Sequence, residues 1–233
     1  AFVKEVYPAL RERNAELQYP LLSLLARMQT SESYEAVAQL LKSGLPAAGH
    51  PGLLADAMND SLELSVKLLP LVRANKEDSL LRLILPRYLN SLYEAKLIDT
   101  RSLEEFRPQL HALADYFMEE QRDKSQPMPA YFHQLLELLT KLGDAESMSR
   151  LDGFAMHSNE DIQYNAVRYQ LENKMQAQVN AVQNLAHDAF YRSSIYEILD
   201  KAGKLKLFPS ALKKQSALAE SHLYRELWGV YGE

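Results

Sequence analysis

Phe132, Leu135, Leu136, Leu139 and Leu142 fall at i, i+3, i+4, i+7 and i+10, the spacing at which side chains share one face of an α-helix. Nothing constrains the chain more. The same period returns along its length, and no run of four or more residues alternates as a half-buried strand requires. Tyr164, Val167, Leu171 and Met175 draw a second stripe. In SLELSVKLLPLVR, from Ser61, apolar positions run nearly all round, which predicts a central helix packed on more than one side.

Composition supports the same conclusion, since only eight glycines occur in 233 residues and Leu, Ala, Glu, Gln and Lys lose little rotamer freedom in a helix. Breakers then divide the chain. Gly143-Asp144 and Gly203 read as stops, Ser158 with Asp161 reads as a capping pair, and Pro20, Pro51, Pro70, Pro86, Pro108, Pro129 and Pro209 each start or kink a helix. The expectation is an all-α fold of about eleven or twelve helices with short turns. Residues 1–233 read as a single helical-repeat domain, a module of a larger protein.

Repetition sharpens this. YEAVAQLL at residues 34–41 and YNAVRYQL at 164–171 coincide at Tyr, Ala, Val and the final Leu, and FAMHSNEDIQYNAVRYQL has a looser echo in LAHDAFYRSSIYEIL. The turn KLGD, a helix ending near His157, the turn HSNED and the helix IQYNAVRYQLENK together resemble a HEAT-like repeat. That resemblance implies an α-solenoid-like array of antiparallel helix pairs. Gln163 stands where such repeats usually carry an arginine, so their buried arginine ladder is not expected here.

The stretch Lys141–Glu172 also gathers Asp152, His157, Glu160 and Asp161, as a metal site or acid/base pair might require. Two ligands on one helix must stand three or four residues apart; His157 and Asp161 have the spacing, but Ser158 and Asn159 between them read as a break. The other histidines, His50, His111, His133, His187 and His222, are scattered, and there is no cysteine. No metal or cofactor is expected. Nucleophile elbows, phosphate loops, dinucleotide fingerprints and zinc-protease motifs are all missing, and adjacent acids such as Glu104-Glu105 and Glu119-Glu120 point about 100° apart on a helix. No catalytic residue is assigned.

Charge yields one candidate. Lys201, Lys204, Lys206, Lys213 and Lys214 lie in a segment free of acids, and read either as a solvated face or as a partner-binding cluster. Against an anionic partner, 26 basic and 31 acidic residues leave a net charge of −5. No window approaches the ~20 apolar residues of a membrane span. The opening AFVKEVYPAL has no hydrophobic leader, so no secretory signal is expected and the chain reads as a mature or excised piece.

A second likeness lies in the last third. LAHDAFYRSSIYEILDKAGKLKLFPSALKKQSALAES, through Leu185, Ala186, Tyr191-Arg192, Ile195-Tyr196, Leu199, Leu207-Phe208-Pro209, Gln215 and Ala219, resembles the end of the helical extension of Bacteroidetes-type TraB/GumN family proteins. NDSLELSVKLLP and SLLRLILPRYLNSLYEAKLID, within residues 59–99, are similar to helices of those extensions. The resemblance implies a bacterial repeat module outside the cytoplasm, without the enzymatic domain. The expected function is a non-enzymatic surface for a protein partner. The alternatives are nucleic-acid binding by a helical array and a hydrolase whose carboxylates meet only in three dimensions. Phe208 and Leu223 are expected to be buried beneath a terminal capping helix carrying Trp228.

Overall fold

Short polar side chains start the helices where the backbone has orphan N–H groups. The side chain of Asp78 accepts from the N–H of Leu80 (2.8 Å) and Leu81 (3.0 Å), and Asp99 accepts from Ser102 N–H (2.8 Å). Stops are equally local: Gly143 ends its helix at φ 66°, donating its N–H to Leu139 O, and Gly203 adopts φ 68°. Pro20 and Pro108 stand in first turns, where no N–H is missed, whereas Pro70 and Pro86 lie inside helices. Pro51 and His50 lie outside the described residues.

The computed structural model describes residues 17–28, 30–43, 52–120 and 128–231. Its described residues form thirteen α-helices and no strand, so the protein is all-α. The count exceeds eleven or twelve, partly because the Asp99 cap supports a separate five-residue helix, Thr100–Glu104.

The described residues divide into two compact units. The first takes those up to Tyr116 together with Ala130–Asp144. It contains α1 (Gln18–Met28), α2 (Ser31–Ser43), α3 (Gly52–Asn59), α4 (Leu62–Ala74), α5 (Ser79–Glu94), α6 (Thr100–Glu104), most of α7 (Arg107–Glu120) and α8 (Phe132–Leu142). Here α1 packs on α3, α3 on α5 and α5 on α8, while α2 packs on α4. The stripe from Phe132 to Leu142 is buried throughout, as its spacing predicts.

The segment SLELSVKLLPLVR differs from expectation. Leu64, Leu68, Leu69 and Val72 are buried, but Leu62 and Val66 face solvent, so α4 buries one face only. A near-continuous apolar run is compatible with one-sided packing because folded surfaces remain largely apolar.

The second unit takes the described residues of Phe117–Pro129 and Ala145–Glu233. It contains α9 (Ala145–Ala155), α10 (Glu160–Glu172), α11 (Val179–His187), α12 (Arg192–Lys201) and α13 (Gln215–Tyr231). Helix α9 packs on α10, α10 on α11 and α12, α11 on α12, and α12 on α13. Two 3-10 turns, Leu205–Leu207 and Ser210–Leu212, lead into α13, and between them Phe208 is buried edge-on to Tyr196, ring centres 5.2 Å apart.

Candidate functional site

The polar stretch ahead of α10 is built into the scaffold. His157 Nδ1 accepts from Asn159 N–H (3.0 Å) and its Nε2 donates to Met118 O (3.2 Å), so both ring nitrogens bind backbone. Asp152 accepts from Gln170 Nε2 (3.0 Å), and Asp161 accepts from the Tyr191 hydroxyl. The N-cap of α10 is Asn159 rather than Ser158, because the helix starts at Glu160 and the Asn159 Oδ1 reaches Asp161 N–H (3.0 Å) and Ile162 N–H (3.4 Å). Among the described residues no three metal-ligating side chains stand together.

The five lysines divide between a cleft lining and the exposed surface. Lys201 and Lys204 line a cleft of about 510 Å³ with Arg168, Lys174 and Arg225, whereas Lys206, Lys213 and Lys214 are exposed elsewhere. Within the cleft Lys204 donates to Met175 O (2.6 Å), and Arg168 pairs with Glu172 (2.8 Å), whose hydrogen bond holds the guanidinium above its usual pKa. Glu197 also lines the cleft, and with Lys174, Lys201 and Arg225 the lining carries a net positive charge.

Helix α13 reverses the usual orientation of an amphipathic helix. Its contact with α12 is polar: Ser221, fully buried, accepts from Ser193 N–H (2.9 Å) and donates to Ser193 Oγ (3.0 Å). Arg192, also buried, clamps the junction. It donates to Ala186 O (3.0 Å), His187 O (3.2 Å) and Ala217 O (3.2 Å), and Nη1, which reaches Ala217, also donates to Glu220 (3.2 Å). Small and hydrogen-bonded groups let the two helices approach. The apolar residues Leu223, Tyr224, Leu227 and Trp228 are left 45–61% exposed. The expected burial of Leu223 is therefore corrected: α13 turns Ser221 to the core, and Leu223, two positions on, points about 200° round the helix from it.

Beside this row opens a second cleft of about 490 Å³, walled by Phe190, Tyr191, Tyr224 and Trp228. Trp228 stacks near-parallel to Tyr224 (6.3 Å, 21°) and meets Phe190 edge-on (6.4 Å, 74°). Phe190 in turn is edge-on to Tyr191 (4.9 Å), which stacks on Tyr164 (5.1 Å). Glu160, Asp161 and Asp188 supply the polar lining. Burial, then the hydrogen bond to Asp161, pushes the Tyr191 hydroxyl far above its ordinary pKa, so it stays a donor at neutral pH. Asp188 fixes the loop by accepting from Phe190 N–H (2.7 Å) and Tyr191 N–H (3.4 Å). Sequence reasoning missed these rings. The available signal was the pattern Leu223, Tyr224, Leu227, Trp228, which repeats at four residues and conflicts with Ser221 only once Ser193 is known to face it.

Among the described residues two carboxylates depart from their ordinary range, both downward: Glu63 through its hydrogen bond and charge pairing with Lys67, and Asp99 through hydrogen bonds from Ser102. Neither is a raised carboxyl of the kind that donates a proton. No helix among the described residues is long and apolar enough to cross a membrane. No family model matches the chain, and comparison with curated proteins and with solved structures finds no match.

Proposed function

We propose that the chain is a non-enzymatic helical-repeat module whose second unit presents a binding surface to a protein partner. The observation that carries this is the wet apolar row of α13, because a helix that hydrogen-bonds its own core through Ser221 and leaves Leu223, Tyr224, Leu227 and Trp228 in solvent has its binding face outward. Large aromatic side chains anchor interfaces with little entropic cost, having only two rotatable side-chain bonds.

The array reading rests on two further supports. Val37 and Leu41 of the first repeat segment are buried like Val167 and Leu171 of the second, and both tyrosines, Tyr34 and Tyr164, are half-buried. In the first unit the packing order of α1, α3, α5 and α8, with α2 on α4, is what stacked helix pairs produce. On this reading the likeness to HEAT-like repeats and to TraB/GumN extensions describes one module of a longer bacterial envelope protein.

Site-specific photo-crosslinking tests the proposal. A photoreactive side chain at Leu227, compared with one at exposed Glu172, is expected to give adducts to one partner protein from the first position only. Equal labelling from both positions, or none from Leu227, refutes it. Salt-sensitive retention on heparin, lost when Lys201 and Lys204 are neutralised, would instead favour the basic cleft and an anionic polymer as partner.

A further inference from the structure

We infer that the aromatic cleft between α10, α13 and the loop before α12 receives an arginine side chain of a protein partner. This deepens the interaction-module reading and rests on it.

The cleft's charge is one-sided. Its lining holds three carboxylates, Glu160, Asp161 and Asp188, and no Lys, Arg or His. The nearest arginines in the sequence are directed elsewhere: Arg192 is spent on carbonyls and Glu220, and Arg225 lines the other cleft. The acids are also joined to the rings. Asp161 holds the Tyr191 hydroxyl through one oxygen, and Asp188 holds the Phe190 and Tyr191 amides through one oxygen. The other oxygen of each makes no hydrogen bond among the described residues. A cation entering here meets aromatic faces and open carboxylate oxygens together, so cation–π and ionic attraction act on one group in a partly desolvated site.

Guanidinium suits this arrangement better than ammonium. It is planar, stacks on Trp and Tyr faces, and presents a fork of donors to a carboxylate, whereas ammonium is a strongly hydrated point charge. A peptide suits it better than a free cation. Asn159, only 2% exposed, lines the cleft with an Nδ2 that has no hydrogen-bond partner among the described residues. Its amide cannot be flipped to remove that donor, because Oδ1 is needed by Asp161 N–H and Ile162 N–H. This nitrogen is itself out of solvent contact, so a partner's backbone carbonyl would pair with it after a small shift of the Asn159 side chain. Leu223 and Leu227 then extend the apolar floor for neighbouring residues of the same partner.

Trp228 is the only tryptophan, so its emission reports directly on this cleft in the intact chain. The probe is an acetylated, amidated glycine peptide with two arginines, titrated beside its neutral citrulline counterpart and a lysine counterpart. The expected result is a saturable change in Trp228 emission with the arginine peptide. Binding should be at least about tenfold weaker for citrulline, and weaker as salt rises. Asp161→Asn with Asp188→Asn keeps the capping oxygens and the acceptor for Tyr191, and should weaken arginine binding by about tenfold. If that variant does not fold by far-ultraviolet dichroism, the citrulline comparison on the unaltered chain decides. No saturable change up to about 5 mM peptide overturns the inference. So does an equal response to citrulline, or equal or tighter binding of lysine. Sedimentation showing that Trp228 is already covered by a second copy overturns it as well. Partner adducts from Leu227 alongside a silent titration would leave the interaction surface standing and remove only its arginine specificity.

Discussion

Replacing Arg192 by Met tests whether one buried guanidinium holds α13 in place. Methionine keeps much of the stem's packing while removing every donor, so the loss isolates the hydrogen bonds. Three of these run to the carbonyls of Ala186, His187 and Ala217 at 3.0–3.2 Å. The fourth contact, Glu220, has a side chain 70% exposed and contributes at most about 1 kcal/mol. A hydrogen bond to a charged group is worth about 1.5–3 kcal/mol when its partner stays dry, and these carbonyls, at helix ends, regain some water. The sum expected is about 3–4 kcal/mol. Arg192→Lys should recover less than half, because an ammonium cannot reach three divergent carbonyls. Urea unfolding followed through Trp228 reads the local transition, and dichroism at 222 nm reads the whole chain, which need not unfold in one step. A loss under about 1 kcal/mol for Met, or full rescue by Lys, refutes the clamp.

Phe208→Ala should cost about 3–4 kcal/mol, from a buried ring and its edge-on contact with Tyr196, while exposed Lys213→Glu should cost under about 0.5 kcal/mol; urea midpoints of the two variants decide. Trp228→Ala should cost less than about 2 kcal/mol, since the ring is 55% exposed, and a larger loss would show that the ring belongs to the core. Stability should also fall between pH 10 and about 12. Burial, with Asp78 nearby, pushes Tyr19 from 10.0 to about 12, and burial raises Tyr88 as well. The unfolded chain releases these protons first, so the contribution is complete below pH 10 and lost as pH rises through the folded value. Urea midpoints that stay flat from pH 9 to 12, or an unchanged slope in Tyr19→Phe, would contradict this.

The helices were legible because their information is local. The stripe Phe132 to Leu142, the stop at Gly143 and the start ahead of Glu160 depend on residues within a turn or two of one another. The Ser158 assignment missed by one residue, a choice between two short polar side chains that only backbone direction decides. What could not be read was which side of a helix meets its neighbour when both sides are mixed. Leu62 and Val66 on α4 and Leu223 on α13 look like core residues by type, and each faces water because a neighbour packs elsewhere. Which lysines share a cleft was equally unreadable: Lys201 and Lys204 line one with Arg168 and Lys174, while Lys206, Lys213 and Lys214 are exposed outside its lining.

Arg192 and Ser221 also explain how α13 can leave its apolar side wet without detaching. An apolar row left in solvent forfeits its burial energy, so attachment must come from other contacts. Polar contacts do this when every group is satisfied: Ser193 and Ser221 satisfy one another, and the guanidinium takes carbonyls from the end of α11 and from α13 itself. Attachment and recognition then use different residues. Truncations at Leu223 or Trp228 should change binding with modest effect on folding, changes at Arg192 or Ser221 should do the reverse, and the two sets should combine nearly additively where they share no partner. A core built from Leu223 would have coupled them, because the same methyl groups would have been needed both to hold the helix and to meet a ligand.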